Sequence, residues 1–401
     1  MGKWHRKNLG TICHLAYGKN LPTTLFTSEG FKVFGANSII GYYSKYTHED
    51  AEVLVSCRGE YSGVINFSEP KSYITNNSIV CILKLDLDKL FLFYALKNIP
   101  RQTFVSGSAQ PQVVIQDLEN IELYYPESKP EQTRIAQILS TIDRAIAQTE
   151  ALIAKYQRIK TGLMQDLLTR GIDEYGRIRS KATHRFVVKN GIEVPEEWEV
   201  EPASNLLYVL NGGTPSTSVK EYWENGSIPW LSVDDFNNGQ RYVFTTSKHI
   251  TKAGLVNSAT QILSKNSIII SARGTVGVIS QLARDMSFNQ SCYGLTSKDA
   301  HVISNDYLYY ILKQVFTFGK VAKSGSVFDT ITRKTFDEIL IPYPNKQSEI
   351  NKIVDILSLY DKLLLQQKEN HSKLISLKTG LMQDLLSGRV RVKVKEEAAA
   401  C

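Results

Sequence analysis

KTGLMQDLL stands at Lys160–Leu168 and again, letter for letter, at Lys378–Leu386. The offset of 218 holds upstream without a gap for about sixty residues. Glu131, Ile135, Ile138, Leu139, Ser140 and Asp143 match Glu349, Ile353, Ile356, Leu357, Ser358 and Asp361. Further up, Ile121-x-Leu123-x-Tyr125-Pro126 matches Ile339-x-Ile341-x-Tyr343-Pro344, and Ser106-Gly107-Ser108 matches Ser324-Gly325-Ser326. With small shifts, Ser56-Cys57-Arg58-Gly59 aligns with Ser271-Ala272-Arg273-Gly274, and Trp4–Gly18 with Trp198–Gly212. Self-similarity on this scale is read before any fold class, because it sets the architecture. The chain is a tandem duplication of a variable block followed by a helical block.

Each helical block carries a heptad seam. The first places Ile135, Ile142, Thr149, Tyr156 and Leu163 seven apart, with Leu139, Ile146, Ile153, Lys160 and Leu167 between them. The second repeats this from Ile353 and Leu357 to Leu381 and Leu385. No Pro or Gly interrupts residues 131–161, so each block predicts one helix of about 38 residues, roughly 57 Å at 1.5 Å per residue. A narrow apolar stripe needs a partner, and each copy is the obvious partner of the other. Antiparallel pairing about a pseudo-two-fold axis follows, with Thr149, Gln367 and His371 as polar register marks. The variable blocks read as mixed and strand-rich. Runs such as Val53–Val55, Ile79–Leu83, Ile268–Ile270 and Val276–Ile279 are separated by Gly, Asn and Ser turns, with short helices near Asp86–Lys97 and Asn305–Phe318. The expected class is α+β: two strand-rich domains joined by two long antiparallel coiled-coil helices. The boundaries are 1–128, first variable domain; 129–170, first long helix; 171–189, linker; 190–344, second variable domain; 345–388, second long helix; and 389–401, a basic, flexible tail.

With 401 residues, 42% hydrophobic and 22% charged, the chain has folded-protein composition. No apolar stretch approaches the roughly 18 residues of a membrane span, and no secretory leader opens it, so a cytoplasmic place is expected. Five cysteines without a C-x-x-C pair indicate neither a disulfide frame nor a zinc site. The net charge of +7 is unevenly spread. Residues 1–128 hold 12 basic and 12 acidic side chains, and residues 190–344 hold 13 and 15. The excess lies in the helical blocks and the linker, so nucleic-acid binding by the large blocks would use local patches. Gly18-Lys19 lacks P-loop spacing, and Arg273–Gly277 is no dinucleotide fingerprint. The acid pairs Asp234-Asp235 and Glu196-Glu197 read as solvated loops. No catalytic residue and no metal site is expected.

The ordered strings PEEWEV (195–200), LNGGTPSTS (210–218), EYWENGSIPWLSVDDF (221–236), SARGTVG (271–277) and IPYPNKQSEINKIVDIL (341–357), with the duplicated tail, resemble the specificity subunit of type I restriction-modification systems. The resemblance covers essentially the whole chain. The first half departs from it, with GKNLPTT (18–24) and GFKVFGAN (30–37) in place of the Gly-x-Thr-Pro and Gly-x-Ile-Pro-Trp elements. The resemblance implies a non-catalytic reader of double-stranded DNA, bearing two target-recognition domains. It implies partners: two adenine-methyltransferase subunits and ATP-driven translocase/endonuclease subunits. No cofactor is expected on this chain; S-adenosylmethionine, ATP and Mg belong on the partners. Because the variable blocks differ while the helices repeat, the two half-sites are expected to differ. A coiled-coil scaffold with two ligand-binding heads and no DNA target is the alternative.

Arg58 and Arg273, each in a Ser-x-Arg-Gly turn, suit a grip on phosphate or guanine, against the plainer reading of a tight hairpin with a solvated arginine. Gly213 and Thr214 form a loop offering donors to phosphate, or a simple turn. Lys320, Lys323, Ser324 and Ser326 read as a loop following a DNA backbone, matched in the first half by Arg101, Ser106, Ser108 and Gln110. Gln110, Gln112, Asn289 and Gln290 are candidates for adenine edges. Trp223, Trp230 and Tyr222 read as core packing. Arg134, Lys155, Arg158, Lys160 and Lys378 read either as solvated helix faces or as DNA contacts. Gly162 and Gly380 each cost about 1 kcal/mol inside a helix. Together with Met164 and Met382, read as exposed, they are expected to dock partner subunits.

Overall fold

The computed structural model describes residues 3–107, 110–236, 240–318 and 330–393. It is α+β with mixed sheets, and the chain divides into two compact units. Unit 1 comprises Met1–Glu150 with Asn370–Cys401, and unit 2 comprises Ala151–Glu369. Each unit thus holds one variable block and a segment of both long helices.

Unit 1 is built on an antiparallel sheet in the order Cys13–Tyr17, Ser78–Leu83, Val53–Ser56, Ile65–Phe67. Val53, Leu54 and Val55 are all fully buried. The two valines face the main core with Phe91, Leu92 and Leu139, while Leu54 faces a small cluster with Phe34, Ile74 and Val80. Burial on both faces explains a continuous β-branched run in place of alternation. A smaller mixed sheet adds Ile39–Tyr43, Phe31–Phe34 and Tyr73–Ile74. Trp4–Asn8 pairs antiparallel with Glu122–Pro126, joining the start of the block to the entry of the first long helix, Lys129–Leu167.

Unit 2 repeats the plan and extends it. Its principal sheet runs Leu207–Asn211, Cys292–Ser297, Ile268–Ser271, Ile279–Leu282, Tyr242–Val243, and the fifth strand is parallel to its neighbour. Ile268 and Ile270 face one core and Ile269 the other, again with both faces buried. Trp198–Pro202 pairs with Leu340–Pro344, as Trp4–Asn8 does with its partner, and leads to the second long helix, Gln347–Leu386.

Part of the heptad seam of each long helix is buried, together with off-seam residues such as Ala136, Met164 and Ile350. Ile135, Leu139, Ile146, Thr149 and Leu167 are buried in the first, and Ile353, Leu357, Leu364 and Leu385 in the second. Within unit 1, His371 meets Glu150 at 2.9 Å and Lys378 meets Asp143 at 2.5 Å. Within unit 2, Lys160 pairs with Asp361, and the rings of Tyr156 and Tyr360 lie 6.2 Å apart. In each unit the start of one helix therefore lies beside the end of the other, which is antiparallel contact. Thr149 bonds its own helix, donating to Ala145 O at 2.8 Å, rather than marking register between helices.

The segments that follow the long helices fold back onto helix starts. In unit 2, Arg179 donates twice to the Glu349 carboxylate, which also accepts from Trp198 Nε1 at 3.2 Å and Ile172 N at 3.1 Å. In unit 1, within the stretch read as a flexible tail, Arg391 donates to both Glu131 oxygens at 2.6 Å and lies over the Trp4 ring. Among the described residues no helix is long and apolar enough to cross a membrane.

Candidate nucleic-acid interface

The two Ser-x-Arg-Gly turns adopt the same hydrogen-bonded form. In unit 1, Ser56 N donates to Val64 O at 2.9 Å, and Gly63 N to Ser56 O at 2.7 Å. In unit 2, Ser271 N donates to Val278 O and Gly277 N to Ser271 O, both at 2.9 Å. The next residue is anchored alike. Cys57 donates to Asn77 O and accepts from Val113 N, while Ala272 donates to Ser291 O and accepts from Ile331 N. Gly59 and Gly274 have φ of +73° and +77°, which glycine adopts without the penalty of a Cβ. This geometry leaves Arg58 and Arg273 exposed at the tip of a rigid turn.

The structure gathers several expected residues around the first turn. Arg58 bridges to Gln112, which also pairs with Ser106 through two backbone bonds of 2.9 Å. Arg101 donates to Glu60 O, so its guanidinium braces the turn. Gln110 is exposed beside this cluster. Ser108, Lys320, Lys323, Ser324 and Ser326 lie outside the described residues.

In unit 2 a second group forms at the sheet edge. Thr214 donates through its hydroxyl to Gln290 Oε1. Gly213 is pinned by Trp230 Nε1 donating to its carbonyl at 3.0 Å. A Cβ on Gly212 would collide with Asn289 O and one on Gly213 with Thr260 N, so close backbone approach requires both glycines. Asn289 is not a free reader, because its side-chain oxygen accepts from Ser291 N at 3.1 Å and closes a turn. Trp230 is buried and its ring stands edge-on to Trp223 at 5.1 Å, which is core packing.

Other expectations are corrected. Lys160 and Lys378 are not free cations of a solvated helix face, since each is held by an aspartate, Lys160 buried and Lys378 partly so. These aspartates also accept from tyrosines of the variable blocks, Tyr310 to Asp361 at 2.6 Å and Tyr94 to Asp143 at 2.8 Å. The matched pairs Asp143/Asp361 and Lys160/Lys378 carried this signal in the sequence. Met164 is buried in the unit 2 core and Met382 packs half-buried on the unit 1 core, so neither offers an exposed contact. Gly162 and Gly380 face open space, and a Cβ added at either would meet nothing within 4 Å.

Among the described residues, no group of three or more His, Cys, Asp or Glu side chains could hold a metal. Asp235 is consumed as a helix cap, accepting from Ser232 N and Ser247 N, both at 2.8 Å. Burial pushes the Cys13 and Cys292 thiols up to about 12, far from thiolate reactivity. Sequence reading missed Arg241, which is buried and bonded to Gln281, Tyr310 and Asp306. It has no repeat counterpart to mark it.

The family model described as "Type I restriction modification DNA specificity domain" matches residues 1–158 and 195–373. The chain is 25% identical over 348 residues to a putative type I restriction enzyme specificity subunit, MjaX, of Methanocaldococcus jannaschii, covering 83% of this chain and 76% of that one. It is 30% identical over 182 residues to the MjaIX specificity subunit of the same organism, covering 45% of this chain and 41% of the relative. A crystal structure of a type I restriction-modification S subunit from M. genitalium shares the fold, with a TM-score of 0.66 at 18% identity, covering 96% of both chains.

Proposed function

Because the chain belongs to the type I restriction-modification DNA specificity family, we propose that it reads an asymmetric, bipartite DNA target, one variable block per half-site. The observation that carries this reading is the same rigid arginine turn on two otherwise divergent blocks. A shared scaffold presenting different neighbours, Gln110 and Gln112 in one and Thr214 and Gln290 in the other, suits two different half-sites read in the major groove. The long helices, of 39 and 40 residues and so about 58 and 60 Å at 1.5 Å per residue, form an antiparallel coiled coil that sets the unspecified gap. Half-sites about one helical turn, roughly 34 Å, apart fit such a spacer.

The chain itself is non-catalytic. Two adenine-methyltransferase subunits and ATP-dependent translocase/endonuclease subunits dock on it and bring S-adenosylmethionine, ATP and Mg. The open helix faces at Gly162 and Gly380 are the docking points. The test is co-expression with a cognate methyltransferase in a methylation-free host, followed by mapping of modified adenines. A two-part motif with unlike halves and a fixed gap is expected. A continuous or palindromic motif overturns the reading.

A further inference from the structure

A cavity of about 410 Å³ opens in unit 2, within the size range of small-ligand sites. Basic side chains outnumber acidic ones five to three on its wall. Of the three acids, Asp361 is already engaged by Lys160 and Tyr310 and Asp306 by Arg241, while Asp355 is exposed to solvent. Lys313 donates to the Tyr309 hydroxyl at 2.9 Å, a neutral partner, and forms no ion pair among the described residues; nor does Lys362. Arg241 is clamped by ring faces of Tyr242, Tyr309 and Tyr310 and by three hydrogen-bond partners, so its charge is fixed in place. Tyr242 and Phe244 add an aromatic wall, their centroids 6.3 Å apart. Lys313 is thus a partly buried cation with no acid of its own beside aromatic rings, which is costly without an anion to answer it.

Unit 1 shows what the same frame looks like without this feature. Tyr94, Asp143 and Lys378 repeat the Tyr310, Asp361 and Lys160 contact, and Lys97 stands for Lys313. Among the described residues its principal sheet, however, ends at Ile65–Phe67, with no fifth strand to deliver an arginine. Phe67 and Phe93 instead meet there at 5.9 Å. The added strand Tyr242–Val243 thus brings Arg241 to unit 2 alone.

We propose that this cavity is a phosphate-binding site, present in the second unit only, with Lys313, Lys362 and the clamped Arg241 facing the anion and Tyr242 and Phe244 flanking it. The phosphate belongs either to a free nucleotide or to a DNA backbone, and only the second source rests on the DNA-reading proposal. Burial and the neighbouring Lys160 lower the Lys313 pKa to about 8. An anion raises it again, so binding near pH 8 takes up protons.

The test is calorimetric titration of the full-length chain with pyrophosphate at pH 8, in two buffers of different ionisation enthalpy. One site per chain with proton uptake is expected. Binding weakens about tenfold or more in Lys313→Met and falls in the exposed-site variant Lys362→Ala, whereas Lys97→Met in unit 1 binds as the parent does. ADP binding tighter than pyrophosphate identifies a free nucleotide; displacement of labelled duplex by pyrophosphate identifies backbone phosphate. Absence of pyrophosphate binding overturns the proposal, as does equal binding by Lys313→Met. The pyrophosphate titration contains no DNA, so its failure leaves the DNA-reading proposal standing.

Discussion

Among the described residues, Arg58 and Arg273 are held only through their backbones, so their guanidinium groups are available while the turns stay rigid. Replacing either with alanine is expected to weaken cognate duplex binding by about 1–3 kcal/mol, the scale of one bidentate base contact. Fluorescence anisotropy on duplexes altered in one half-site checks it: Arg58→Ala relaxes discrimination at one half and Arg273→Ala at the other. Lys313 gives a pH prediction at the same scale. Its pKa falls from 10.5 to about 8 on folding, so between those values the unfolded chain binds more protons. Stability contributed by this residue therefore rises as pH rises through that window. Lys313→Met removes the burial cost at neutral pH and flattens the slope, readable as a higher urea midpoint at pH 7 than the parent and a smaller gain toward pH 10. Both arginines were visible in the sequence because repeats align them. Lys313 was not, because a lysine on a short helix carries no mark of its burial.

The helices were legible from their period, and the apolar seam positions Ile135, Leu139, Ile353 and Leu357 are buried as expected. The polar positions were not legible. Lys160 occupies a seam position because Asp361 and Tyr310 meet it there, and that requires the partner helix and the variable block together. Removing one member of such a pair leaves an uncompensated charge. Lys160→Met is expected to cost about 3 kcal/mol and Asp361→Asn a similar amount, with strong non-additivity in the double variant, measured by denaturant unfolding. Gly162 is a different case. Since a Cβ there meets nothing, Gly162→Ala should stabilise the helix by about 1 kcal/mol. Gly162→Trp is expected to leave the chain folded but reduce co-purification of the methyltransferase, and undiminished assembly would refute the docking role.

At the scale of the whole chain, the duplication is expressed twice over. The linker brings Arg179 to Glu349 at the base of the second long helix, and the end of the described chain brings Arg391 to Glu131 at the base of the first. Arg179 is the more enclosed, at 8% side-chain exposure against 21% for Arg391. Arg179→Met is therefore expected to destabilise unit 2 by about 3 kcal/mol, and Arg391→Met to destabilise unit 1 by less, compared through hydrogen exchange of the Leu139 and Leu357 amides. The duplication, the two long helices, the strand-rich blocks and the family were all readable from the string of residues. Repetition and hydrophobic period are local properties that survive without coordinates. That Lys160 and Lys378 are each paired with an aspartate, that Met164 is core, and that Arg241 joins Lys313 on one cavity wall emerged with the packed chain. Those facts depend on which distant side chains share a dry space, and no spacing along the chain encodes that.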